Sequence, residues 1–183
     1  MKNIAELLFE AKILKEIPRS GFNFLGTGKE SIAEHSFLVT FIGYVMSQMA
    51  SDIDPLKLIS MCIVHDLPET RTGDMNYVQK KYVTVDEKKA IEDTTRDIPF
   101  GSSIAALIDE FNERKSAEAE LAHDADQLAF ILELKTLSDI GSAAPDKWLP
   151  HVLRRLKTDI GKKLAESITS TDWDSWWQKN YVE

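Results

Sequence analysis

The chain has 183 residues, with 22 basic and 30 acidic side chains and a formal charge of −8. That length suits one ordinary domain with a sizeable core, and 43% hydrophobic residues exclude a disordered chain. The acidic balance argues against a nucleic-acid partner, since a phosphate backbone wants a basic face, while leaving room for a small phosphate ligand at a local cationic site. A single cysteine, Cys62, allows no intramolecular disulfide and fits a reduced cytoplasm. No stretch is long and apolar enough to span a membrane.

Ile4, Leu7, Leu8, Ala11 and Leu14 recur at helical spacing, which predicts an amphipathic first helix over 3–16, rather than a signal peptide, stopped by Pro18. A glycine-bearing loop follows, "RSGFNFLGTGKE". Ser31 and Glu34 form a capping box that opens a second helix to about residue 50. Asp54 before Pro55 starts a third, which carries the apolar run Met61 to Val64 into His65 and Asp66 and ends near Pro68. "RTGD" reads as a turn, and Thr84 with Glu87 as a second capping box opening a helix to about Asp97. Further helices are expected at 103–114, 116–140, 148–169 and 172–180. The pattern predicts one all-α domain over 1–183, a helical bundle with no repeats or linkers. The aromatic "TDWDSWWQKNY" segment reads as a helix packed on its own core or at a subunit interface, with ligand stacking as the rarer alternative.

Two polar, ionisable residues closing an apolar helix point to a site. His35 begins the second helix, His65 and Asp66 end the third, and Asp126 lies in the long helix within "HDADQLAFIL". Two imidazoles and two carboxylates from three helices suit a divalent transition metal with positions left open for water and substrate. Read singly, each has a plainer alternative: His35 as a satisfied core or surface residue, Asp66 as a cap, Asp126 as a solvent-facing helical acid. "HD" occurs twice, at 65 and 123.

The order His35, His65-Asp66, Asp126 resembles the H…HD…D signature of the HD-domain metal-dependent phosphohydrolases. "SIAEHSFLVTFI", "CIVHDLPETRTGD" and "AEAELAHDADQLAFILE" are similar to that family's three ligand-bearing segments, and "IPRSGF" to the arginine loop of its small 5′-deoxynucleotidase-like branch. The likeness runs over about residues 4–140, with the helices at about 148–180 packing behind. It implies an HD-type bundle and hydrolysis of deoxyribonucleoside 5′-monophosphates. It also implies one divalent ion (manganese, cobalt, iron or similar) held by His35, His65, Asp66 and Asp126. Glu69 and Asp74 are implied as catalytic acids and Arg19 as the phosphate clamp. His123 is not a ligand position in the family, and neither it nor His151 stands at an expected second-metal position.

The family often has an aromatic directly after the arginine. Here Ser20 and Gly21 precede Phe22, which shifts that sugar contact. Lys29 and Arg71 are further phosphate candidates. The resemblance also implies a homodimer. A hydrolase of another nucleotide, such as a pyrophosphate or cyclic second messenger, and a non-catalytic metal or nucleotide-binding helical protein are the alternatives.

Overall fold

The computed structural model describes residues 1–181, and among them there is no β-strand. In chain order the helices are α1 (Lys2–Lys12), α2 (Phe22–Leu25), α3 (Ile32–Met49), α4 (Pro55–Val64), α5 (Glu69–Thr72), α6 (Glu87–Thr95) and α7 (Gly101–Glu113). α8 (Ala117–Asp139), α9 (Pro145–Leu153), α10 (Asp159–Thr169) and α11 (Ser175–Gln178) complete the bundle. Two short 3-10 turns, Ile13–Lys15 and Gln79–Lys81, extend α1 and the segment before α6.

α8 is the axle of the domain. It packs against α3, α4, α7, α9 and α10, and it carries Ala122, Ala125, Leu128, Ala129, Ile131 and Leu134, all fully buried. Its apolar residues lie on nearly every side, as a central helix surrounded by others requires. α3 and α4 close on it with Val39, Met46, Leu58 and Met61. They approach each other closely at Gly43, where a Cβ would stand 2.7 Å from the Cys62 sulfur. That contact fixes the spacing of the two helices that carry the histidines. A smaller cluster of Leu7, Leu14, Ile32 and Leu67 seats α1 against the start of α3 and the end of α4.

The local signals at the helix starts hold. Ser31 accepts the Glu34 amide while the Glu34 carboxylate accepts the Ser31 amide at 2.7 Å, and Asp54 accepts the Lys57 amide at 3.1 Å. Three expectations shift. The cap of α6 is Asp86, not Thr84, because the Asp86 carboxylate takes the Lys89 amide at 2.9 Å. The "RTGD" turn holds a helical turn, α5, closed by Gly73 at φ +68°, a conformation that glycine adopts without Cβ strain.

The expected helix at 148–169 is two helices, α9 and α10. They are separated because buried Asp124 on α8 takes the Lys157 and Thr158 amides and the Thr158 hydroxyl. The second "HD" is therefore architectural. Asp124 pins the start of α10, and Gly161 leaves room for it, since a Cβ there would lie 2.3 Å from the carboxylate. The C-terminal tryptophans do not pack into the core: Trp176 is 73% exposed.

Candidate metal and phosphate site

The start of α3, the end of α4, the start of α5 and one loop converge on the middle of α8. His35 sits one turn into α3 and is fully buried. Its Nε2 lies 2.9 Å from Asp126 Oδ1 on α8 and 4.0 Å from Asp66 Oδ2. His65 closes α4, and its Nδ1–H donates to the Cys62 carbonyl at 2.9 Å. A carbonyl only accepts, so this bond fixes the proton on Nδ1 and turns Nε2 inward. Nε2 stands 3.2 Å from Asp66 Oδ2 without aligning as a hydrogen bond. One donor atom each from His35, His65 and Asp126 lie within 4.8 Å of one another, and Asp66 lies alongside.

These residues fit a divalent metal on their own chemistry. His65 Nε2 and Asp66 Oδ2 are buried and have no hydrogen-bond partner among the described residues, although buried polar atoms are nearly always satisfied. A cation shared by two imidazoles and two carboxylates satisfies both, and a mixed N/O set suits a transition ion. Without an ion, the same groups perturb one another, and a bound cation would have to displace the proton that Asp66 favours on His65. Burial disfavours charge on Asp126, but the His35 hydrogen bond and Arg19 outweigh it and hold its carboxyl well below the usual range. Burial pulls His65 down, and the adjacent Asp66 carboxylate reverses this and raises it to about 9. His35 is lowered, by burial and then by Arg19.

Arg19 reaches the same centre from the loop before α2. The chain at Ile17–Arg19 pairs with Glu30–Ile32, the Arg19 amide donating to the Glu30 carbonyl at 2.8 Å and the Ile32 amide to the Ile17 carbonyl at 3.0 Å. This pairing aims the guanidinium inward, 3.8 Å from Asp66 Oδ2 and 3.7 Å from Glu30 Oε2. Glu30 also lies 3.7 Å from His35 Nδ1, and burial, opposed by Arg19, pushes its carboxyl up to about 7. Glu30 escapes a sequence reading: a glutamate just before a capping serine looks like an ordinary surface acid.

Glu69 opens α5 with Oε2 buried and without a hydrogen-bond partner. Burial first, then the Asp66 and Asp74 carboxylates, push it up to about 8, against Arg19 and His65. Asp74, after the α5 turn, accepts the Ser20 amide at 2.7 Å and the Ser20 hydroxyl at 3.1 Å. Arg19, Phe22, His65, Asp66, Glu69, Asp74 and Asp126 all face one cavity of about 320 Å³. Phe22 is otherwise a core residue, 7% exposed.

Two candidates stand elsewhere. Lys29 is exposed and faces a separate groove beside Pro18 and Asn23. Arg71 points away from the cavity: its Nε and Nη2 donate to Glu10 at 2.6 and 3.0 Å, and its Nε also to Thr94 at 2.9 Å. It pairs with α1 and α6, not with Glu69 or a phosphate. His151 is exposed and bonds Arg154 on its own helix. His123 touches the cavity, but its Nε2–H donates to the Phe111 carbonyl at 2.8 Å and its ring stacks on Phe111 at 3.8 Å.

The far wall of the cavity is aromatic. The Tyr77 ring stacks on Trp148 at 6.0 Å, and Phe130 meets Trp148 edge-on at 6.3 Å. Arg155 lies 5.6 Å from the Tyr77 ring centre and bonds the Tyr77 hydroxyl and Gln127 Oε1. These residues are 71 positions apart at Tyr77 and Trp148, too far for any local pattern to join them.

An HD domain model matches residues 11–168. A protein described as 5′-deoxynucleotidase HDDC2 from Dictyostelium discoideum is 29% identical over 145 residues, covering 73% of this chain and 76% of its own. A 5′-deoxynucleotidase from Erwinia tasmaniensis is 27% identical over 153 residues, covering 75% of this chain and 74% of its own. Among solved structures, the PH0347 protein from Pyrococcus horikoshii superimposes with a TM-score of 0.75 at 28% identity, over 90% of this chain and 98% of that one.

Proposed function

The chain belongs to the HD domain family, and on that premise we propose that it is a metal-dependent phosphomonoesterase acting on deoxyribonucleoside 5′-monophosphates. The observation that carries this reading is that Arg19, Glu69 and Asp74 share one cavity with His65, Asp66 and Asp126, with His35 buried directly behind Asp126. The 5′-deoxynucleotidase relatives support the substrate class.

His35, His65, Asp66 and Asp126 hold one divalent ion, of the manganese, cobalt or iron type. When bound, such an ion supplies Lewis acidity toward a phosphoryl oxygen and toward water. Arg19 presents a planar fork to the phosphate, and its approach to Asp66 places that fork at the edge of the donor set. In the reaction, the water oxygen bonds to phosphorus and gives up a proton to the Asp74 carboxylate, the bond to the 5′-oxygen breaks in line, and that oxygen takes up a proton from Glu69. Glu69, whose burial pushes its carboxyl up to about 8, is the acid that supplies that proton. Asp74 orders the arginine loop through Ser20 and keeps its other carboxylate oxygen for water or the sugar. The nucleoside extends toward Tyr77, Trp148 and Phe130, which offer flat faces for a base.

The test is phosphate release from a panel of ribo- and deoxynucleoside 5′-monophosphates with manganese or cobalt supplied. Release from the deoxynucleotides supports the reading. A clear ribonucleotide preference counts against the sugar assignment, and release only from pyrophosphates or cyclic nucleotides replaces the substrate class. The homodimer belongs to the same proposal, and sedimentation tests it.

A further inference from the structure

The cavity does not end at the aromatic wall. A second one, of about 600 Å³, adjoins it, and the two share Tyr77, Lys80, Arg114, His123, Gln127 and Arg155. The second cavity adds Glu120 and Lys157. Four cations therefore face a single carboxylate, in a chain whose overall charge is −8. Among the described residues, Lys80, Arg114, Arg155 and Lys157 have no carboxylate within ion-pair distance, and what sets them apart from the other unpaired cations is that all four line one cavity.

One of the four is held in place. Arg155 is oriented by Tyr77 and by Gln127 Oε1 at 3.3 Å. Arg114 caps α7 at φ +52°, a left-handed position that favours glycine and costs a side-chain-bearing residue about 1 kcal/mol. The Arg114 side chain lines both cavities.

We propose that this cationic annex binds a second phosphate of the substrate, one that is not removed. The inference rests on the phosphomonoesterase reading and narrows it. The substrate carries its scissile 5′-phosphate at the His35–Asp126 end, its base against Tyr77 and Trp148, and a further phosphate on the sugar's 3′-oxygen, directed to the side toward Arg114, Arg155 and Lys157. Two compounds have that chemistry, a nucleoside 3′,5′-bisphosphate and a 5′-phosphorylated dinucleotide.

The experiment compares kcat/KM for deoxyadenosine 5′-monophosphate, deoxyadenosine 3′,5′-bisphosphate and a 5′-phosphorylated deoxydinucleotide, using the full chain with manganese. One well-made phosphate contact corresponds to about a 10-fold preference, expressed in KM, for at least one of the two larger compounds. The compound with the larger ratio identifies the source of the second phosphate. The preference should fall toward one in the Arg114→Gly, Lys157→Gln double variant, whose melting temperature is not lowered because glycine suits the cap. It should also shrink as salt rises, since these cations are exposed.

Turnover of the monophosphate with a ratio near one overturns the inference and leaves the phosphomonoesterase reading standing. A preference that survives in the double variant overturns the annex as its source. No turnover of any of the three removes the parent reading and this inference with it.

Discussion

The Asp74 carboxylate accepts both the amide and the hydroxyl of Ser20, at 2.7 and 3.1 Å, across 54 residues of sequence. This pair ties the turn after α5 to the loop that carries Arg19. Two candidate residues thus come from one mechanical unit: moving Asp74 moves the guanidinium next door.

Asp74→Ala should therefore act in two ways, removing a carboxylate from the cavity and releasing the arginine loop. Turnover of a deoxynucleoside monophosphate is expected to fall about 100-fold or more, with KM rising as well. Ser20→Ala removes only the hydroxyl bond and leaves the amide in place, so a loss of only a few-fold is expected. Equal losses in steady-state assays of the two variants would show that Asp74 acts only through Ser20.

Arg19→Lys keeps the charge and loses the bidentate fork. If the fork clasps phosphate, KM should rise about 10-fold while metal content is unchanged. Arg19→Ala should cost more, since it also strips a cation from beside Asp66 and Glu30. Metal analysis alongside kinetics separates a phosphate contact from a support for the donor set.

Glu10 and Arg71 give a prediction about stability. Burial raises the Glu10 carboxyl, but hydrogen bonds from Arg71, Thr94 and Thr70 outweigh it and hold the group below its ordinary value. A carboxylate depressed in the folded state contributes stability that is present above the unfolded value and lost as pH falls through the folded one. Glu10→Gln should destabilise the fold by about 1 kcal/mol at pH 7, and the difference should begin to shrink only below about pH 4, the unfolded value, and vanish as pH falls through the lower folded one. Denaturant titration across that acidic range checks this. A gap that persists at low pH would mean that packing, not charge, holds α1 to α5 and α6.

Gly43→Ala tests whether helix spacing sets the site. The added methyl meets the Cys62 sulfur at 2.7 Å, so that sulfur must turn into the core or α3 and α4 must part. Overpacking of this kind costs about 1–3 kcal/mol. Because His35 and His65 ride on those two helices, metal affinity should weaken along with the melting temperature. Loss of stability with full metal affinity would detach the site from this contact.

Much of this was legible where the signal is local. The capping box at Ser31, the Asp54-Pro55 start and the His65-Asp66 ending of α4 are spacing features, and the structure keeps all three. What the sequence hid is non-local. Nothing near Arg71 points to Glu10, 61 residues away, so a phosphate role looked open until the pair was seen. The break between α9 and α10 comes from Asp124 reaching back to Lys157 and Thr158, which no periodicity records. Glu30 joins Arg19 and His35 only because two extended segments pair there, and the aromatic wall forms only because α9 folds back over the turn holding Tyr77.

The proposed hydrolysis needs one ion held by His35, His65, Asp66 and Asp126. The most direct measurement titrates metal-stripped protein with manganese or cobalt and follows binding by calorimetry, for the parent chain and for Asp66→Ala and Asp126→Ala. One equivalent bound per chain, with both variants folded by circular dichroism and binding at least about 100-fold more weakly, is the result expected for loss of a ligand. Undiminished binding in either variant, or none in the parent chain, would contradict it.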